Sequence, residues 1–298
     1  MRNIFFIFFR FRLHTPAHSL IFAGEMMKYT VVLSIAGSDC SGGAGIQADI
    51  KTLSALGCYA ASVVTAVTVQ NTCGVRKVYP IPAQAVAEQL QAVSDDMEID
   101  AVKIGMVTDE GIIDVLADFL ASSGIPSVFD PVLVSSSGYP LVTPKSLELI
   151  RDRLIPLCTL VTPNLREAEV LSGCSIREAD DMAAAGLRIL STGCKAVLVK
   201  GGHLDGNDMS DLLVTGISPQ DIYRYHAAKV DSSNTHGTGC TLSSAIAAYV
   251  AQHFPLPQAV GLGKEYLTQA LSAGKDIAIG KGHGPLNHFF EPKRLMVK

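Results

Sequence analysis

From Thr30 onward the chain alternates two patterns. Short runs of β-branched and other apolar residues give way to longer stretches whose apolar positions recur every three to four residues. Runs of the first kind read as strands buried on both faces, and stretches of the second kind as helices with one apolar stripe. The pattern predicts strands over residues 30–36, 60–69, 101–106, 126–130, 160–162, 196–200, 211–215 and 222–230. It predicts helices over 44–56, 82–96, 109–122, 143–154, 166–171, 179–191, 241–253 and 258–275. Thr143 followed by Pro144 reads as an N-cap with proline at the first helical position. Strands alternating with helices form βαβ units, so the expected fold class is α/β, with a mostly parallel sheet covered by helices on both faces. In such sheets ligands gather at the carboxyl ends of the strands.

Composition narrows the class. The 298 residues are 48% hydrophobic and 17% charged, which suits a packed globular chain. No linker or repeat interrupts the pattern, so residues 27–298 are expected to form one domain. A net charge of −4 carries no basic excess, which argues against nucleic acid as the main partner. The seven cysteines are scattered and never spaced C-x-x-C. That fits neither a disulfide framework nor a zinc site, and the expected compartment is the reducing cytoplasm. The apolar stretch Asn3 to Phe9 is too short to span a bilayer, and nothing later is apolar for long enough, so no membrane association is expected. Residues 1–26 are expected to lie outside the fold, with Met26 or Met27 as the working start. A targeting segment with Ala23-Gly24 as cleavage site is the alternative.

Chemistry-bearing residues cluster where the predicted strands end. Asn234-Thr-His-Gly-Thr-Gly-Cys240 is a glycine-rich turn opening an apolar helix. Helix N-termini leave backbone N–H groups unpaired and carry partial positive charge, so Gly237, Thr238 and Gly239 form a candidate anion site. Cys240 sits within it, where a thiol pKa is expected to fall. Ala36 to Asp49 is a second glycine-rich exit, containing Asp39 and Asp49 as possible pocket walls. Its Gly43-x-Gly45-x-x-Ala48 matches a dinucleotide fingerprint, but Ile50 to Ala87 lacks the acidic residue that would hold a ribose. Gln70, at the end of an apolar strand, offers an amide for a heterocycle edge or for capping its own turn. Met106, after Lys103-Ile-Gly, suits a flat ring or an apolar core. Asp130, before Pro131-Val132, can face a Mg²⁺ shell or simply make a turn. Asn164 and Glu167, three apart at a helix start, suit water-mediated Mg²⁺ or a capping box. Lys200, before Gly201-Gly202-His203, could meet a polyphosphate or lie exposed beside a turn. No Walker A sequence occurs, so any phosphate chemistry here is not of the P-loop type.

Taken in order, these segments resemble the hydroxymethylpyrimidine and phosphomethylpyrimidine kinases of thiamine biosynthesis. The residues that carry the likeness are Ile35 to Asp49, Gln70-Asn71-Thr72, Lys103 to Met106, Asp130-Pro131-Val132, Thr162 to Glu167, Lys200 to His203 and Asn234 to Ser243. The resemblance implies a ribokinase-like three-layer α/β/α sandwich, with ATP and Mg²⁺ as cofactors and a homodimer as the assembly. It implies that Gly37, Asp49, Gln70, Met106 and Val132 hold the pyrimidine. Asn164, Glu167, Lys200, Gly202, Thr238 and Gly239 would serve the nucleotide phosphates, with Glu167 and Asp130 reaching the metal through water. Many relatives in the superfamily carry aspartate where this chain has Cys240, and the cysteine is typical of the pyrimidine kinase branch. Cys240 is therefore the expected base. A pyridoxal kinase of the same superfamily is the nearest rival. A dehydrogenase, a cysteine hydrolase using Cys240 with His236 or His203, and a non-catalytic pyrimidine sensor stand further off.

Overall fold

The computed structural model describes residues 27–134, 141–202 and 210–298. The expectations for residues 1–26 and for His203 lie outside the described residues. The strands are β1 (Val31–Asp39), β2 (Tyr59–Asn71), β3 (Gly74–Pro80), β4 (Ala101–Ile104), β5 (Ser127–Phe129), β6 (Leu160–Val161), β7 (Val197–Lys200), β8 (Asp211–Val214) and β9 (Ile222–Tyr225). They form one sheet in the order β3-β2-β1-β4-β5-β6-β7-β8-β9. Pairings from β2 through β7 are parallel, and β3, β8 and β9 join antiparallel.

Successive strand residues point to opposite faces, so each central strand feeds two cores. Leu33, Ile35, Val102, Ile104, Phe129, Val197 and Val199 enter one cluster. Val32, Ala101, Val128, Ala196 and Leu198 enter the other. The first face is covered by α2 (Ala83–Ser94), α3 (Glu110–Ser123), α4 (Pro144–Leu149), α5 (Leu165–Ser172) and α6 (Ala179–Leu190). The second is covered by α1 (Gly45–Ala55), α7 (Thr238–Ala251) and α8 (Leu256–Gly274). This is the expected three-layer α/β/α sandwich with a mostly parallel central sheet.

Helix α7 is buried all round, from Thr241 to Tyr249, because it lies between the sheet and α8. Its serines and alanines allow that close approach, and they explain why it lacks a polar stripe. The differences from the predicted elements have local causes. β3 was not predicted because it is a polar edge strand, with Arg76 and Lys77 exposed, and shows no apolar alternation. β1 continues to Asp39 through a register shift between Ala36 and Ser38. The strand expected over 222–230 stops at Tyr225, and the helix expected over 143–154 passes at Ile150 into a π turn. Helix α7 begins three residues earlier than expected, which places Thr238, Gly239 and Cys240 inside its first turn.

Candidate active site

Two glycine turns meet backbone to backbone at one end of the sheet. Gly237, the N-cap of α7, has φ 87° and ψ 8°. A Cβ there would lie 1.9 Å from the Gly43 carbonyl oxygen. Gly43 is equally confined, since its Cβ would lie 2.4 Å from His236 Cδ2. The helix N-terminus is braced from behind. Thr241 donates both its N–H and its hydroxyl to the Gly237 carbonyl, each at 2.8 Å. The same hydroxyl lies 3.0 Å from the buried His288 Nε2. The first-turn N–H groups of Gly239 and Cys240 have no intrahelical acceptor and make this end the candidate anion site.

Asp39 organises the β1–α1 turn. One carboxylate oxygen accepts from the Ser41 N–H (2.8 Å) and hydroxyl (2.7 Å). The other accepts from Gly43 N (3.0 Å), Ala44 N (2.8 Å) and His236 Nε2 (2.9 Å). Burial works to raise this carboxyl's pKa, but the bonds from His236 and Ser41 outweigh it and hold the group well below the ordinary carboxylate range. Gln70 Nε2 lies 3.5 Å from His236 Nε2. Gly37 and Met106 are in contact, because a Cβ at Gly37 would lie 2.5 Å from Met106 Cε. Val132 is half-buried two residues beyond Asp130.

An acidic and basic cluster stands beside the α7 turn. Lys200 Nζ bonds Asp130 Oδ1 at 2.7 Å, and Thr162 donates to the same oxygen at 3.2 Å. A Cβ at Gly239 would lie 3.1 Å from Asp130 Oδ2 and 3.5 Å from Lys200 Nζ, so the pair abuts the anion turn. Asn164 and Glu167 do form the capping box: Asn164 Oδ1 accepts from Glu167 N (3.0 Å), and Glu167 Oε2 accepts from Asn164 N (2.8 Å). Burial pushes the Glu167 carboxyl up to about 7, with Lys200 opposing and Asp130 adding to the rise. The cap and the acidic cluster are thus the same residue at work. Gly202 follows Lys200-Gly201 at the exit of β7.

Asp49, expected to hold the pyrimidine, has partners inside the protein. It is fully buried, and Lys103 Nζ lies 2.9 Å from both of its oxygens. Ser34 (2.7 Å) and Ser244 (2.8 Å) donate to it as well, so its acceptor capacity is spent inside the protein. Cys240 does not have a lowered thiol pKa. Burial pushes it up to about 11, and the opposing pull of Lys103 and the Gly45 N–H is smaller. A helix N-terminus favours a thiolate only while the thiolate stays solvated.

Sequence reasoning left Lys103 without a role and considered His236 only as a partner of Cys240 in the hydrolase reading. A lysine in the middle of the four-residue apolar strand β4 was the available signal for Lys103. Nothing local marks His236, because its partners, Asp39 and Gln70, are 197 and 166 positions away. Among the described residues no cluster of three or more metal-ligating side chains occurs, and no helix is long and apolar enough to cross a membrane.

His288 carries a pH prediction. Burial, with a smaller contribution from Lys51, depresses its pKa to about 4. The unfolded chain then binds the extra proton first, near pH 6.5. Stability is full above that pH and is lost as pH falls through the window down to about 4. The loss is expected to reach roughly 3 kcal/mol. Urea midpoints across this window should fall steeply in the native protein, and more shallowly in His288→Gln.

The family model described as phosphomethylpyrimidine kinase matches residues 39–287. The hydroxymethylpyrimidine/phosphomethylpyrimidine kinase of Rhizobium meliloti (strain 1021) is 48% identical over 260 residues, 87% of this chain and 97% of that protein. The crystal structure of phosphomethylpyrimidine kinase from Clostridium difficile 630 superposes with a TM-score of 0.71 at 44% identity, covering 81% of this chain and 99% of that one. The pyridoxal kinase from Staphylococcus aureus, solved with AMP-PCP and pyridoxal, gives a TM-score of 0.79 at 33% identity, covering 88% and 94%. With a family match over residues 39–287 and a relative 48% identical across most of both chains, the chain belongs to the phosphomethylpyrimidine kinase family.

Proposed function

We propose that the protein transfers phosphoryl groups from ATP to 4-amino-5-hydroxymethyl-2-methylpyrimidine, and then to its monophosphate to give the diphosphate. The observation that carries this reading is the N-terminus of α7. Its unpaired N–H groups at Gly239 and Cys240 stand next to Lys200, where negative charge on a transferring group would be neutralised. Thr238, Gly239, Lys200 and Gly202 are the proposed nucleotide-phosphate contacts, with Asn164 shaping the turn that carries Glu167. Gly37, Asp49, Gln70, Met106 and Val132 are the proposed pyrimidine contacts, Asp49 together with the Lys103 that it holds.

Mg²⁺ fits the donor set. Asp130 Oδ1 is committed to Lys200 and Thr162, whereas Oδ2 faces Gly239 and accepts no hydrogen bond from the described residues. Asp130 and Glu167 would hold the ion through water, as hard oxygen donors do, and it would supply charge neutralisation on the phosphates. Cys240 is the proposed acceptor of the hydroxymethyl proton. Only its thiolate can accept that proton, and the raised pKa leaves this form a minor fraction at neutral pH in the free protein. Positioning and charge neutralisation therefore carry most of the rate, as a loose phosphoryl-transfer transition state allows. The reading takes residues 27–298 as one kinase domain acting as a homodimer in the cytoplasm.

A pyridoxal kinase activity is the second reading, favoured by the likeness to the Staphylococcus aureus enzyme. Purified protein with Mg·ATP and either the hydroxymethylpyrimidine or pyridoxal, with products resolved by mass, separates the two. The pyrimidine is expected to yield mono- and then diphosphate. Absence of the diphosphate would overturn the main reading.

A further inference from the structure

Residues 275–285 leave the end of α8 and run as a strap between the β2–β3 turn and the anion turn. The buried Asn234 amide anchors its start, donating to the Gly274 (2.7 Å) and Ile277 (2.6 Å) carbonyls. Further on, His236 N donates to the Gly284 carbonyl at 3.1 Å, and His236 and Pro285 pair as a parallel bridge. Pro285 also abuts the β1–α1 turn, since a Cβ at Gly43 would lie 3.2 Å from Pro285 Cβ. On its other side the strap meets Thr72, whose Oγ1 accepts from Gly282 N at 3.1 Å. Glycine allows both approaches. A Cβ at Gly282 would lie 2.1 Å from the Thr72 carbonyl oxygen, and one at Gly284 would lie 2.2 Å from Asn234 Oδ1. The first obstacle is backbone, and the second is a side chain already held by two carbonyls, so neither can turn aside. The strap therefore touches both halves of the proposed site. Thr72 stands two residues past Gln70, and His236 stands one before the N-cap Gly237. The Gly43–Gly237 contact ties the β1–α1 turn to the anion turn, and the strap ties the end of β2 to it.

We propose that Thr72 and Gly282 are positioning residues: through the strap they set the separation between a pyrimidine held at the end of β2 and the anion turn that receives the transferring phosphoryl group. Each half of the site meets its own ligand with its own contacts, so a shifted strap leaves either affinity near its native value. Only the transfer step needs both ligands in register, with the attacking hydroxymethyl oxygen about 3–3.5 Å from phosphorus and in line with the leaving oxygen. An interaction that matters only at that step is read in the rate and not in binding. This inference rests on the pyrimidine kinase reading and adds what holds the two halves of its site at working distance.

The test is the single-turnover rate of transfer to the hydroxymethylpyrimidine, with enzyme and Mg·ATP saturating, read beside the KM of each substrate. Thr72→Val keeps the shape of the side chain and removes the acceptor for the Gly282 N–H, and it is expected to slow transfer about tenfold. Gly282→Ala drives a Cβ against the Thr72 carbonyl and is expected to slow transfer about 100-fold, the cost of a shift near 1 Å. Both KM values are expected to stay within about threefold of native in either variant. Thr72→Ser restores the acceptor and is expected to bring the rate back to within about threefold of native. A merely structural role would lower stability and leave the transfer rate of the folded protein where it was. Should Gly282→Ala fail to fold, the two Thr72 variants decide, since Thr72 is only half-buried and sits in a turn. A transfer rate unchanged within twofold in Thr72→Val, a loss carried by KM alone, or a Thr72→Ser protein as slow as Thr72→Val overturns the proposal while leaving the kinase reading intact. Failure of the native protein to phosphorylate the pyrimidine overturns the kinase reading and this inference with it.

Discussion

Gly237→Ala is expected to lower kcat/KM by at least about 10³-fold, because removing even one such donor from a developing oxyanion costs 10²–10³-fold. Two effects combine at this position. The left-handed backbone (φ 87°) costs a non-glycine residue about 1–2 kcal/mol. The new Cβ would also lie 1.9 Å from the Gly43 carbonyl oxygen, well inside van der Waals contact, so one turn must move away from the other. That movement displaces the first-turn N–H groups from the phosphate position. Gly124→Ala is the matched control. Gly124 is also left-handed (φ 63°), but a Cβ there meets nothing within 4 Å. It is expected to cost about 1 kcal/mol of stability with turnover unchanged. Steady-state kinetics and urea denaturation of the two variants check the pair of expectations. Equal turnover in both would show that the turn-to-turn contact does not position the anion site.

Lys103→Met is expected to destabilise the protein by about 3–5 kcal/mol, the range for removing one partner of a buried ion pair. Lys103 and Asp49 are both 0% exposed, and the ammonium is the group that offsets the Asp49 charge. Burial alone would strip the lysine of its proton, but Asp49 foremost, then the Cys240 sulfur and Asp130, hold its pKa above the ordinary lysine range. Ser34 and Ser244 would remain to donate to an orphaned Asp49, which is not enough to solvate a buried charge. The double variant Asp49→Asn/Lys103→Met removes both charges and is expected to regain more than half of the loss. Denaturant midpoints for the single and double variants give the coupling. Additive losses would mean that the pair does not act as a unit. The Lys103→Met protein is also expected to turn over at least tenfold more slowly, since the uncompensated Asp49 charge lies near Cys240 and the anion turn.

Much of the site was legible because its parts are local. Gly237-Thr-Gly-Cys240 before an apolar helix reads as a candidate phosphate site, since helix N-termini expose the same N–H groups in any fold. The Asn164/Glu167 spacing was legible as a cap, and the cap is present. The α/β alternation was legible because central strands of a parallel sheet are apolar on both faces. The edge strand β3 escaped because its side chains face water and bear no periodic signature. The Asp49–Lys103 pair was not legible because Lys103 lies in β4, 54 residues away, and an aspartate on a helix looks the same whether it meets a ligand or a lysine. Cys240 was misread for a related reason. Position in a first turn is local, but desolvation is set by everything packed above it.

By itself the sequence determined the element pattern, the fold class and the glycines and cysteine of the anion turn, because backbone geometry and apolar periodicity act over a few residues. Tertiary structure alone decided which groups pair: Lys103 with Asp49 and Lys200 with Asp130 as ion pairs, and His236 with Asp39 through a hydrogen bond. These pairs join strand ends and helix starts that are far apart in the chain. Their energies depend on distance and burial, which exist only once the sheet has assembled.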